Sequence, residues 1–142
     1  MHNRSKSTLF LMELLIAILV FALCAAVCVK TFVTSHMMVL ESKDRNNALI
    51  IAENCAEVHK ALRGELEEAS TVLGGRVSEN GNTLVVYYDK KWQVCEEKDS
   101  AYTLSLTNRN EAALVLGDIS VLEASGREIL SFTAAARRSS YE

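Results

Sequence analysis

Glu13 is the residue whose type and position most need a chemical explanation. It is the single charged side chain in a continuous apolar run from Leu9 to Val29. An ionised side chain at the centre of a membrane helix costs about 2.5 to 3.5 kcal/mol, and less near an interface. The carboxylate therefore needs a partner in the membrane, or it must bend toward the lipid headgroups about 6 Å away by helix rise.

Cysteine and histidine are the residues that could bind a metal. Cys55 and His59 lie four positions apart on a predicted helix, which is half of a metal site. The sequence has no second pair such as Cys-x-x-Cys or His-x-x-x-His, and His2 and His36 are scattered. We therefore predict no metal and no cofactor.

The four cysteines are expected to carry little chemistry. Cys24 and Cys28 lie one helical turn apart in the apolar run, where cysteine behaves as a small hydrophobic residue. Cys55 and Cys95 would both lie outside the membrane, where a disulfide can form. However, Cys55 belongs to a predicted core stripe and Cys95 alternates with Trp92, which makes the two thiols face apart. Their oxidation state stays open.

No set of catalytic residues is apparent. The sequence has no glycine-rich phosphate loop, no nucleophile elbow and no pair of carboxylates with a supporting histidine. Tyr87, Tyr88 and Trp92 form a modest aromatic group that is more typical of sheet packing than of a ligand platform. We predict that the protein is not an enzyme and has no small-molecule substrate.

The apolar run is long enough to cross a membrane once, because about twenty residues span the hydrocarbon core. Arg4 and Lys6 precede it, and residues 31–142 hold 12 basic against 17 acidic residues, a net charge of −5. The positive-inside rule predicts a cytoplasmic N-terminus and an external C-terminal domain, although Lys30 on the far side weakens the bias. An acidic outer domain is not expected to bind nucleic acid.

A cleaved secretory signal is the main alternative for this N-terminus. Its apolar region would be about 7 to 15 residues long and end in a small-x-small site, whereas this run is longer and lacks a good site. A protein with an uncleaved signal anchor and an external binding domain is a second alternative.

After the apolar run, a helical stripe predicts that the same helix continues outside the membrane. Apolar residues recur in steps of three and four until Gly74-Gly75, and we expect a kink either near the polar segment 41–47 or at Gly64. The members of this stripe are Ala48, Ile51, Cys55, Val58, Leu62, Leu66, Ala69 and Leu73.

Beyond Gly75 the apolar period changes to two, which predicts β-strands. The predicted strands are 83–88, 92–96, 102–107, 114–123 and 128–133, and residues 134–142 read as a frayed tail. Short turns between neighbours imply an antiparallel meander of four or five strands. We predict an α+β protein in which the second half of a long N-terminal helix packs on a small antiparallel sheet. The predicted segments are a leader (1–8), a transmembrane helix (9–30), its external continuation (31–73) and the sheet domain (74–142).

The start of the chain, Lys6-Ser-Thr-Leu-Phe-Leu-Met-Glu13-Leu-Leu, resembles the N-terminal signature of type IV pilins and type II secretion pseudopilins. It looks most like pilin-like proteins of Gram-positive, clostridial-type bacteria. In that family a basic leader precedes an apolar residue, with a glutamate fifth in the mature chain. That register makes Leu9 the first mature residue and Thr8 the last of the leader. Thr8 stands where the family normally has glycine.

The resemblance implies a structural role in a cell-envelope filament, or in a secretion or DNA-uptake apparatus. A prepilin peptidase would cut between Thr8 and Leu9, and the new amino terminus would be methylated. Glu13 would then meet the free amino terminus of a neighbouring subunit during assembly. The implied partners are sibling pilin-like subunits and an assembly platform with its cytoplasmic ATPase.

Overall fold

The computed structural model describes residues 2–138, with side chains from Lys6 onward. One helix, α1, spans His2–Ala61. The sequence contains no proline and no glycine before Gly64, so nothing local interrupts this helix. The chain divides into two compact units, of which the first ends at Ser42 and the second begins at Lys43.

The first unit is helical and apolar on every face. Its large hydrophobic side chains are all exposed. The first of them, Leu9, is 67% exposed and the last, Leu40, is 48% exposed. By length and composition, this helix is long and apolar enough to cross a membrane. It is therefore compatible with a membrane anchor.

In the second unit, α1 ends earlier than the apolar stripe predicts. Arg63 (φ 54°) and Gly64 (φ 85°) adopt left-handed conformations, and the Gly64 N–H donates to the His59 carbonyl at 2.9 Å. This pattern caps a helix C-terminus. A second helix, α2, spans Leu66–Leu73 and ends at Gly74, which is also left-handed. The predicted stop at Gly74 is present, and the break at Gly64 divides the predicted helix in two.

Five strands form one antiparallel sheet in the order β1-β2-β3-β4-β5. The strands are β1 (Arg76–Val77), β2 (Thr83–Tyr88), β3 (Tyr102–Glu111), β4 (Leu114–Glu123) and β5 (Glu128–Arg137). The predicted α+β class and antiparallel meander are confirmed. The bounds of β2 and β4 agree with the prediction, whereas β3 and β5 are each four residues longer at their C-terminal ends than the predicted 102–107 and 128–133.

The predicted strand 92–96 is wrong. The Asp89 carboxylate accepts hydrogen bonds from the Lys91 and Gln93 N–H groups at 2.8 and 3.0 Å, which forms a tight turn. Trp92 in this turn has a φ of 62°, outside the strand region. Extended pairing is limited to one isolated bridge between Tyr88 and Val94. The predicted frayed tail is also partly wrong, because residues 134–137 belong to β5, while residues 139–142 lie outside the described part of the chain.

The core lies between the helices and one face of the sheet, as the alternating burial of β2, β3 and β4 requires. Three small residues of α1, Ala48, Ala52 and Cys55, are each 0% exposed and lie against the sheet, together with the larger His59. Ile51 and Val58, which the stripe predicts as core, are only partly buried beside them. Small side chains let the helix backbone approach the sheet closely, so the helix presents this face to it.

Candidate functional site

Glu13 lies within α1 and is exposed, among exposed apolar side chains. One helical turn away on either side are Leu9, Phe10, Ile16 and Ala17, none of which can pair with a carboxylate. Among the described residues Glu13 has no ion-pair partner. Its neighbours along the helix therefore offer no counter-charge.

The predicted processing residues, Thr8 and Leu9, lie on the same helix, within two turns of Glu13. Leu9 is exposed, with 67% of its surface accessible. The structure thus places all three predicted site residues on one uncovered stretch of α1.

A partly buried polar cluster, which sequence reasoning missed, joins α1 to the sheet. His59 is only 1% exposed, and its Nε2 atom lies 3.0 Å from Asn108 Oδ1 on β3. Asn108 Nδ2 donates in turn to the Gly64 carbonyl at 2.7 Å. We call His59, Asn108 and Gly64 the clasp. It connects the end of α1, the bend after it and the third strand.

The clasp determines the protonation pattern of the imidazole. Because the Gly64 carbonyl can only accept, Asn108 must offer its amide nitrogen there and its oxygen to His59. His59 therefore donates through Nε2. Its Nδ1 atom is buried with no hydrogen-bond partner. Burial lowers the pKa of His59 below 6.5, and the nearby Lys60 acts in the same direction, against the Asn108 hydrogen bond.

Gly117 on β4 leaves the space that this imidazole occupies. A Cβ atom there would lie 2.9 Å from both Cε1 and Nε2 of His59 and 2.7 Å from Leu106 Cδ1. A glycine within a strand is a signal of close approach by another group. That signal is present in the sequence, but it does not identify His59 as the neighbour.

The aromatic group differs in membership from the prediction. Trp92 stacks on Tyr102, with centroids 3.9 Å apart and planes 13° apart, and Tyr88 lies 6.5 Å from Trp92. Tyr87 has no ring contact among the described residues. Burial is the main cause that raises the pKa of Tyr102, and the nearby Asp44 carboxylate on α1 raises it further. The group is a packing contact between the helix, the turn and the sheet.

The cysteines are all free. Cys55 is buried against the sheet, and burial raises the pKa of its thiol to about 12. Cys95 is half-buried in the loop between β2 and β3. Cys24 and Cys28 lie exposed on the apolar helix. Within the described residues, no group of three or more potential ligands could hold a metal ion.

A cavity of about 740 Å³ lies between the β2–β3 loop and the β4–β5 turn. Its charged lining residues carry both signs and include Asp89, Lys91, Asp99 and Glu123. No histidine or cysteine lines it, so it offers no nucleophile and base pair of the usual kind.

No family model, no curated protein and no solved structure matches this chain.

Proposed function

We propose that this protein is a pilin-like structural subunit, polymerised through its N-terminal helix into a filament of the cell envelope. One observation carries the proposal: the exposed apolar stretch 9–29 of α1 bears a single carboxylate, Glu13, and the same helix continues into a packed α+β unit. The resemblance of residues 6–15 to the pilin signature supports the same function.

The chemistry of assembly follows from the position of Glu13. Removing a carboxylate and its counter-charge from water is favourable only when the two are closely paired, and leaving one unpaired is costly. A free amino terminus at Leu9 of a neighbouring subunit is a cation about 6 Å of helix rise from the level of Glu13, so the two groups meet when adjacent subunits are offset by about that distance. Pairing it with Glu13 would fix the register between adjacent subunits.

Such an amino terminus exists only after the leader is removed. We therefore propose cleavage after Thr8 by a prepilin peptidase, with methylation of the Leu9 amine. A cytoplasmic ATPase with its membrane platform would drive assembly. The subunit would be held in the cell membrane with residues before Leu9 in the cytoplasm and the sheet unit outside.

Glu13→Leu tests the assembly role. The change makes membrane insertion easier and is expected to leave the sheet unit intact, because Glu13 belongs to the other compact unit of the chain. We expect membrane abundance to stay level or rise, while crosslinking to sibling subunits falls. Glu57→Leu is the matched control, because it removes an exposed carboxylate from the same helix within the sheet unit.

Equal recovery of siblings with Glu13→Leu and the parent would refute the assembly role. It would favour a signal-anchored protein with an external binding domain. Mass and N-terminal sequencing of the protein from its native membrane would report cleavage and methylation directly. Retention of Met1 to Thr8 would remove the cation that Glu13 requires.

The orientation has its own test. A cysteine introduced at Ser125, in the exposed β4–β5 turn, should react with an impermeant thiol reagent on intact cells when Cys95 is replaced by serine. Labelling that occurs only after lysis would reverse the proposed orientation.

A further inference from the structure

The sheet has two outer edges that differ in how the described chain covers them. On one edge, the two-residue strand β1 pairs with Leu84 and Val85 of β2, and the Cys95 N–H donates to the Tyr87 carbonyl at 2.9 Å. On the other edge, β5 pairs with β4 along its inner side. No other described residue pairs with its outer side.

The hydrogen-bond register shows which groups of β5 face outward. The Arg138 N–H donates to the Ala113 carbonyl at 3.0 Å, which directs the backbone groups of residue 138 toward β4. These groups alternate in direction along an antiparallel strand. Ser131, Thr133, Ala135 and Arg137 therefore present their N–H and C=O groups at the outer edge.

Natural proteins usually protect an edge of this length with proline, lysine, an inward-pointing charge or a bulge. Strand β5 contains no proline and no lysine, and it carries no charge between Ile129 and Ala136. Its register irregularity lies at its beginning, opposite Val121 and Leu122. The rest of the strand is open to pairing.

We propose that the outer edge of β5 docks an extended segment of another polypeptide, which adds to the sheet as a sixth, antiparallel strand. Antiparallel pairing is slightly more stable per residue than parallel pairing. Glu128 stands at one end of the edge, and Arg137 and Arg138 stand at the other, all exposed. The complementary antiparallel segment begins with an acidic residue and ends with a basic one.

Side-chain size adds a second requirement on the docked segment. The half-buried Leu130 and Phe132 lie on the inner face at this edge, followed by the small Ala134 and Ala136. Cross-strand neighbours pack best when large side chains meet small ones. Small residues are therefore expected opposite Phe132 and Leu130, and larger apolar residues opposite Ala134 and Ala136.

A second copy of the whole chain does not suit this edge. Asp44 lies near Tyr102, at the start of β3, and His59 bonds to Asn108 further along the strand, so this part of α1 runs alongside β3. A symmetric antiparallel pair of β5 strands would make these parts of the two helices run in opposite directions. In the proposed filament, equivalent helices run in the same direction, so a symmetric pair does not fit. This choice of occupant rests on the proposed function, whereas the open edge itself does not.

The free peptide 128–138 of this chain has the required chemistry and serves as the probe. It begins with glutamate, ends with two arginines and has alanines where it would face Phe132 and Leu130. A fluorescent form is titrated against the full chain in detergent, and a scrambled peptide of the same composition is the control. We expect saturable binding of the probe and at least about tenfold weaker binding of the scrambled peptide.

Ala135→Pro tests the edge itself. It removes one outward N–H while keeping the inner hydrogen bonds, since proline is tolerated where the N–H faces solvent. Probe affinity should fall at least about tenfold. Ala135→Val keeps that N–H and should bind the probe like the parent.

A charge reversal decides the orientation whether or not Ala135→Pro folds. Glu128→Lys in the chain should weaken probe binding, and a probe with glutamates at both arginine positions should restore it. Undiminished binding to Ala135→Pro, equal binding of the scrambled peptide, or absence of this rescue would overturn the proposal. Dimers of the parent chain that Ala135→Pro abolishes would overturn the choice of occupant. The Glu13→Leu chain should bind the probe like the parent. Failure of the docking proposal can therefore be distinguished from failure of the proposed assembly role.

Discussion

The Nε2 atom of His59 and the Oδ1 atom of Asn108 lie 3.0 Å apart although the residues are 49 positions apart in sequence. This hydrogen bond joins a helix to a strand inside a mainly apolar core. Asn108 also holds the carbonyl of Gly64, where the chain bends between α1 and α2. The clasp thus provides a polar, directional link in a region otherwise packed by apolar contacts.

Asn108→Ala should lower the free energy of unfolding of the sheet unit by about 1 to 3 kcal/mol. The change leaves the buried His59 Nε2–H without a partner, at a cost of about 1 to 3 kcal/mol, whereas the half-buried Gly64 carbonyl can bond to water. Denaturant unfolding followed by the fluorescence of Trp92, the single tryptophan, measures the effect. Asn110→Ala, at an exposed position on the same strand, is the control and should change stability by less than about 0.5 kcal/mol. Equal effects of the two changes would contradict a stabilising clasp.

Acidification from pH 7 to pH 5 should destabilise the sheet unit through His59. Because burial lowers its pKa in the folded state, the unfolded chain binds the proton more readily, and the free energy of unfolding falls as the pH drops below about 6.5. Above that pH the contribution of His59 is fully present. His59→Gln keeps an N–H donor but does not titrate, so its stability should depend less on pH over this interval. His36→Gln should keep the pH dependence of the parent, and a parent slope no steeper than that of His59→Gln would exclude this role.

Gly117→Ala should destabilise the sheet unit by about 1 to 3 kcal/mol, because the new methyl group overlaps the imidazole of His59 and the side chain of Leu106. The same change should cost less in a His59→Ala background, where the ring is absent. Thermal melts of the four chains of this double-mutant cycle measure the coupling. Additive effects would show that Gly117 and His59 do not compete for space.

The thiols of Cys55 and Cys95 should react at different rates in the folded protein. Cys55 is 0% exposed with a pKa of about 12, so both access and thiolate formation are suppressed. In a Cys24→Ala, Cys28→Ala background, we expect Cys55 to be modified at least about tenfold more slowly than Cys95. Peptide mass mapping after timed alkylation gives the two rates. In denaturant the rates should converge, and equal rates without denaturant would place Cys55 outside the core.

The sequence by itself determined the elements that depend on local periodicity. The apolar run after Lys6 defines a helix suited to a membrane, and the change of apolar period after Gly75 predicts β2 and β4 with the bounds that the structure has. Such patterns are repeated over many residues, so a single exception does not hide them. The α+β class follows from them, as does the need for a helix to cover one face of the sheet. The role of Glu13 in assembly stays a prediction.

Tertiary structure decided the features that depend on one contact or one backbone angle. The left-handed conformation of Arg63 ends α1 before the predicted end of the helix, and that of Trp92 makes a turn where a strand was predicted. Neither residue type favours such a conformation. Tertiary structure also decided which face of α1 packs on the sheet. Ala52 is fully buried there and the larger Ile51 only partly, because small side chains allow the helix to approach the sheet more closely. His59 and Asn108 are polar residues in unremarkable positions of the sequence. Only the folded chain brings them within hydrogen-bonding distance, because contacts between residues far apart in sequence leave no periodic signal.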